Sequence, residues 1–108
     1  MKILNNLKEV QNIISNNTMV LTYFTSSDCN LCKDLFPKVK RMLEEFPNVV
    51  AIRSEVDEEL GLVGTYNVFT IPTIILFIEG KETIRRSRQI GIKEFSDAMN
   101  RYYSMIYE

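Results

Sequence analysis

Cys29 and Cys32 are the only thiols in the chain, and two residues separate them in the stretch from Thr25 to Pro37, TSSDCNLCKDLFP. Two thiols at this spacing can form and break one disulfide: Cys29, as thiolate, attacks a partner's disulfide, and Cys32 then resolves the mixed disulfide. Before the pair, Met19-Val20-Leu21-Thr22-Tyr23-Phe24 is an apolar, β-prone run long enough for one buried strand. After it, Leu35, Phe36, Val39, Met42, Leu43 and Phe46 recur every three or four residues, the face of an amphipathic helix. The pair therefore belongs where a strand turns into a helix. Unpaired N–H groups and the partial positive charge of a helix start favour a thiolate there. Lowering a cysteine pKa from about 8.5 toward 7 raises the thiolate fraction at neutral pH from roughly 3% to roughly half.

Two other readings compete with a redox pair. As a staple, a four-residue ring contributes about 2 kcal/mol, against about 4.7 kcal/mol for a hundred-residue loop. A zinc or iron–sulfur site wants about four nitrogen or sulfur ligands. With no histidine and no third cysteine, metal binding would require a dimer. No metal and no cofactor is expected.

At 108 residues with 45% hydrophobic residues, the sequence implies one domain with a real core. The opening Met1-Lys2-Ile3-Leu4-Asn5-Asn6 lacks the apolar stretch of a signal peptide, and no transmembrane segment is evident. A cytoplasmic protein is expected, and in a reducing compartment a cysteine pair is more often catalytic or metal-binding than structural. With 13 basic and 14 acidic residues the net charge is −1, which points to neither nucleic acid nor an anionic membrane.

In chain order, Asn6 and Glu9 form a capping-box pattern ahead of Leu7, Val10, Ile13 and Ile14, predicting a helix over about residues 6–15. The strand from Met19 and the cysteine helix follow, with a bend expected at Pro37 and an end at Phe46-Pro47-Asn48. A second strand runs from Val49 to Val56, giving a right-handed parallel crossover. Asp57 is placed as the cap of a short helix that ends near Tyr66, with Asn67 as its left-handed stop. Pro72 opens the most apolar strand, Thr73 to Ile78. Glu79-Gly80-Lys81 turns it into a hairpin with Glu82 to Arg88, whose arginines Arg85, Arg86 and Arg88 suit an edge strand. After Gly91, a last helix carries Ile92, Phe95, Met99, Tyr102 and Ile106 on one face. The fold class is α/β, a mixed sheet of about four to five strands with helices on both faces.

The cysteine pair after the first core strand, Pro37 five residues past Cys32, Ile71-Pro72-Thr73 before an apolar strand, Gly80 in the next turn and Gly91 before the last helix together resemble the thioredoxin family. The likeness runs from about residue 5 to 105. It implies the thioredoxin fold and a thiol–disulfide oxidoreductase in which Cys29 is the nucleophile and Cys32 the resolving thiol. It further implies a cis-proline at Pro72 against the active-site disulfide, with the Ile71 backbone pairing with a bound peptide. Asp28, Asn30, Leu31, Val56, Thr70, Ile71, Ile90, Gly91 and Ile92 would form the face that meets partners. Those partners would be disulfide-containing proteins and a reductase or low-molecular-weight thiol as electron donor, with the protein itself a monomer.

The chain departs from the family at positions that matter. Asp28 stands where a tryptophan is usual and Asn30-Leu31 where Gly-Pro is. A carboxylate beside Cys29 disfavours its thiolate, while Lys33 and the helix start favour it. Tyr23 occupies the place of the family's buried aspartate, a base for the resolving thiol, and a phenol with pKa near 10 is a poor base at neutral pH. Arg53 matches the family's buried lysine and lacks that aspartate as partner, leaving Glu55 or water to face it. Slower resolution of mixed disulfides is expected. Two alternatives to a reductase remain: a redox-sensing or partner-binding module with weak reductase activity, and a glutaredoxin-like exchanger with small thiols. The exchanger lacks the Gly-Gly and acidic pattern after the apolar strand.

Overall fold

A computed structural model describes residues 1–108. Its elements in order are β1 (Lys2–Ile3), α1 (Leu7–Asn16), β2 (Met19–Thr25), α2 (Asn30–Leu43), β3 (Val50–Glu55), α3 (Gly61–Tyr66), β4 (Thr73–Ile78), β5 (Lys81–Ser87) and α4 (Ile92–Tyr107). The strands form one sheet in the order β1-β3-β2-β4-β5. β1 and β2 each run parallel to β3, and β2–β4 and β4–β5 are antiparallel. This is the expected mixed sheet. Every residue of β2 is buried, as befits a central strand covered on both faces.

Alternation along the strands divides the core in two. Met19, Leu21 and Tyr23 of β2 pack with Cys32, Leu35, Val39 and Met42 of α2 and with Phe95, Met99 and Tyr103 of α4. Val20 and Phe24 face the other way, toward Val10 and Ile14 of α1 and Leu62 of α3. The first cluster is the one that receives the buried cysteine.

Local signals behave as their chemistry requires. The Asn6 side chain accepts from the Glu9 N–H at 3.0 Å, capping α1. Asn67 adopts the left-handed conformation (φ 54°) that stops α3. Glu79 and Gly80 both have positive φ (51° and 80°), the twist a tight hairpin needs. Pro37 lies inside α2 without ending it.

Five expectations need correction. β1 has only two residues, too few for any alternation to register, yet it pairs with Ile52 and Arg53. α2 stops at Leu43 rather than at Phe46, and the chain then tightens through Glu44 N–H to Arg41 O and Phe46 N–H to Leu43 O contacts. Asp57 does not cap α3, which begins four residues later without a side-chain cap; its carboxylate instead accepts from Ser27 Oγ at 2.7 Å. On α4 the buried face is Phe95, Met99 and Tyr103, whereas Tyr102 and Ile106 are exposed. Tyr103 wins because its ring packs edge-on to Phe46 and its hydroxyl accepts from the Asn48 N–H at 3.2 Å. Arg85 does more than guard an edge. Its Nη1 donates to Asn67 O at 3.1 Å and its Nη2 to Tyr66 O at 2.5 Å, closing the free carbonyls at the end of α3.

Candidate active site

β2 runs out at Thr25, and a four-residue loop, Ser26 to Cys29, carries the chain into α2. Cys29 is the N-cap of that helix, and its Sγ accepts from the Cys32 N–H at 3.1 Å. A sulfur thus fills the capping role more often taken by oxygen, and the same N–H favours negative charge on that sulfur once the thiols are free. Cys32, one turn on, points into the core and is 1% exposed; Cys29 is half-buried. A disulfide joins them, with the Cα atoms 5.3 Å apart.

Around the pair the structure gathers most of the residues singled out above. The Ile71–Pro72 peptide is cis. Ile71, Ile90 and Ile92 are half-buried against the same core cluster as Cys29. The Ile71 N–H and carbonyl pair with no other group of the chain. The Thr70 carbonyl accepts from the Thr73 hydroxyl across the bend that holds Ile71 and Pro72. Leu31, Ile90 and Gly91 line one groove of about 350 Å³ together with Lys38 and Arg88. Gly91 is also the N-cap of α4. Asp28 and Asn30 are exposed beside Cys29, and the Asp28 carboxylate accepts from Ser26 Oγ at 3.3 Å. Val56 is half-buried and packs against the second core cluster, which Ile71 also touches.

Beneath Cys32 is a smaller cavity of about 180 Å³, lined by Tyr23, Lys33, Phe36, Arg53 and Glu55 among others. The three residues expected to modulate the chemistry, Tyr23, Lys33 and Arg53, meet there. Tyr23 is buried and its hydroxyl donates to the Cys32 carbonyl. Burial pushes its pKa up to about 12 despite the opposing charge of Arg53. The Arg53 guanidinium lies 4.6 Å from the centre of the Phe36 ring, a cation–π contact. Its Nε is buried with no partner, and no ion pair joins it to Glu55. A larger groove, about 650 Å³ between α2 and α4, contains neither cysteine.

Sequence reasoning passed over Phe69, which is 78% exposed two residues before Ile71. With Leu31, 49% exposed, it adds a large apolar side chain to this end of the molecule. Its one sequence signal was position, in the segment leading to Pro72.

A helix-capping cysteine closed onto a buried one can take two electrons from a partner's sulfurs or return them, which makes the protein a thiol–disulfide oxidoreductase. The thioredoxin family model matches residues 2–101, and the chain belongs to that family. It is 26% identical over 102 residues to the thioredoxin-like protein YdfQ of Bacillus subtilis, covering 94% of this chain and 91% of that one. To the thioredoxin of Chlamydia trachomatis it is 34% identical over 76 residues, 70% of this chain and 72% of that one. The oxidised thioredoxin of Plasmodium falciparum has the same fold, with a TM-score of 0.85 at 22% identity over 95% of this chain and 98% of that one.

Proposed function

We propose that the protein reduces disulfides in polypeptide substrates, in the reducing setting of the cytoplasm, and is recharged by a reductase or a low-molecular-weight thiol. One observation carries the polypeptide reading: the Ile71 N–H and carbonyl, beside the cysteine pair, pair with nothing in the chain. Unpaired backbone groups just ahead of a sheet strand are what an extended peptide pairs with when it adds itself to a fold. Leu31 and Phe69 supply exposed apolar surface for its side chains. Cys29 then attacks the substrate disulfide, Cys32 releases the product, and Thr70, Ile90, Gly91 and Ile92 border the bound segment.

The test compares kcat/KM for insulin disulfides with that for a small dialkyl disulfide. Preference for insulin by about tenfold or more, corresponding to about 1.4 kcal/mol of added contact, is expected. Preference for the small disulfide, or for glutathione mixed disulfides, would make the protein an exchanger instead. Cys32→Ser should accumulate a covalent complex with the polypeptide, and Cys29→Ser should not.

Tyr23 favours a second reading, a partner-binding or redox-sensing module with weak reductase activity. A phenol with pKa of about 12 takes no proton from Cys32 near neutrality. Retained partner binding and biological effect in Cys29→Ser would select that reading.

A further inference from the structure

Resolution of a mixed disulfide requires Cys32 to lose its proton, and Cys32 is 1% exposed. Its proton must therefore leave through groups that line the cavity beneath it. The side chains there with a charge or a titratable proton are Tyr23 from β2, Lys33 from α2, and Arg53 and Glu55 from β3. Tyr23 already donates to the Cys32 carbonyl and stays protonated until about pH 12. Lys33 and Arg53 are cations with no lone pair to offer. The hydroxyls of Thr25, Ser26 and Ser27, which also line it, can relay a proton but not keep one.

The geometry points to Glu55 as the proton acceptor for Cys32 in the resolving step. In the parallel β2–β3 ladder Tyr23 lies opposite Arg53 and Thr25 opposite Glu55, so Glu55 is the next side chain after Arg53 on the face that meets α2. Its own N–H donates to Asn5 Oδ1 at 2.8 Å, which fixes the end of the strand. About 180 Å³ gives room for a bridging water, and the buried Arg53 Nε–H is a donor able to orient it.

The reactant is the mixed disulfide between Cys29 and the partner's sulfur. Cys32 gives its proton to Glu55 through that water, and its sulfur attacks Cys29 Sγ. The bond from Cys29 to the partner sulfur breaks, the Cys29–Cys32 bond forms, and the partner leaves with the electron pair as a thiolate that is protonated from solvent. The cysteine pair is oxidised by two electrons and the partner's disulfide is reduced by two.

This inference rests on two-step exchange by the cysteine pair and not on the choice of substrate, so a small aromatic disulfide, DTNB, serves as the probe. Mixed in excess with the reduced protein under single-turnover conditions, it releases one thionitrobenzoate when Cys29 attacks and a second when Cys32 does. Wild type should show a second phase nearly flat in pH from about 6 to 8, because an internal acceptor takes the proton without calling on hydroxide from solution. Glu55→Gln should slow that phase by at least about tenfold at the acid end and make it rise about tenfold per pH unit, as attack by free thiolate alone requires. The first phase should change less than about twofold, and Glu55→Asp should restore the flat profile.

Equal second phases in wild type and Glu55→Gln would overturn the assignment, as would a common slowing of both phases. A second phase lost in Arg53→Gln but kept in Glu55→Gln would transfer the role to direct stabilisation of the thiolate by the guanidinium. Absence of any second phase in wild type would instead sink two-cysteine exchange itself.

Discussion

The Tyr23 hydroxyl donates its hydrogen bond to the backbone carbonyl of Cys32, tying the centre of β2 to the first turn of the cysteine helix. The side chain that displaces the family's carboxylate from this position thus holds the resolving cysteine's backbone in place while taking no part in its proton transfer.

Tyr23→Phe should cost about 1 kcal/mol at neutral pH, the value of one buried hydrogen bond. Its larger effect is at alkaline pH. Folded Tyr23 ionises near pH 12 against 10.0 unfolded, so the stabilisation present below 10 is lost as pH rises toward 12. The loss amounts to about 3 kcal/mol, and Tyr23→Phe should remove it. Urea titrations of both proteins between those limits check this, with a residual slope expected from Tyr66, whose pKa burial also raises. Identical alkaline slopes would contradict it.

Arg85→Met should destabilise by about 1–2 kcal/mol, because it opens two carbonyls at the end of α3 and strips Glu82 of its partner at 2.8 Å. Arg85→Lys should recover little of this, since a single ammonium cannot span both carbonyls and the carboxylate. The Arg85 hydrogen bond holds the Glu82 carboxyl below its usual range, so this support exists above that range and fades as the solution is acidified through it. Thermal melts of the three proteins at neutral and acid pH decide the matter.

Asp57→Ala should loosen the loop that delivers Cys29 without weakening the core. The carboxylate accepts from Ser27 Oγ at 2.7 Å and, at the limit of contact, from the Ser27 N–H at 3.5 Å. The Ser27 hydrogen bond also lowers the Asp57 pKa, so the tie is present above the ordinary carboxylate range and released on acidification. Faster hydrogen exchange at Ser27 to Cys29, with exchange in β2 and β4 unchanged, is the expected signature.

Phe69→Ser should lower the ratio of insulin reduction to small-disulfide reduction by about three- to tenfold, as loss of roughly one buried aromatic contact from a partner face implies. A ratio equal to that of wild type would place the polypeptide elsewhere on the surface.

Disulfide reduction should lower the melting temperature only modestly. A four-residue ring contributes about 2 kcal/mol on the chain-entropy account, equivalent to about 8 °C for a domain of this size. Calorimetry with and without dithiothreitol measures it.

Much of this was open to reading along the chain because it depends on neighbours in sequence. The spacing of Cys29 and Cys32 at a helix start, the cap at Asn6, the stop at Asn67 and the turn at Gly80 are properties of a few consecutive residues, and each took the conformation its chemistry prefers. The unbroken apolar run of β2 similarly marked a buried strand, and the repeat of α2 marked the face that met it in the core.

What tertiary structure alone decided are contacts between residues far apart in sequence. β1 exists because Lys2 and Ile3 find an open edge on β3, not because two residues favour a strand. Tyr103 displaces Tyr102 from the core because Phe46 and Asn48 stand ready for its ring and hydroxyl. Arg85 finds carbonyls 18 and 19 residues away. Glu55 enters the cavity under Cys32 only through the pairing of β2 with β3. Local dihedral preferences and periodicity set the elements and the reactive pair; the partners of each buried polar group were set by which strands and helices lie side by side, which no short stretch of sequence encodes.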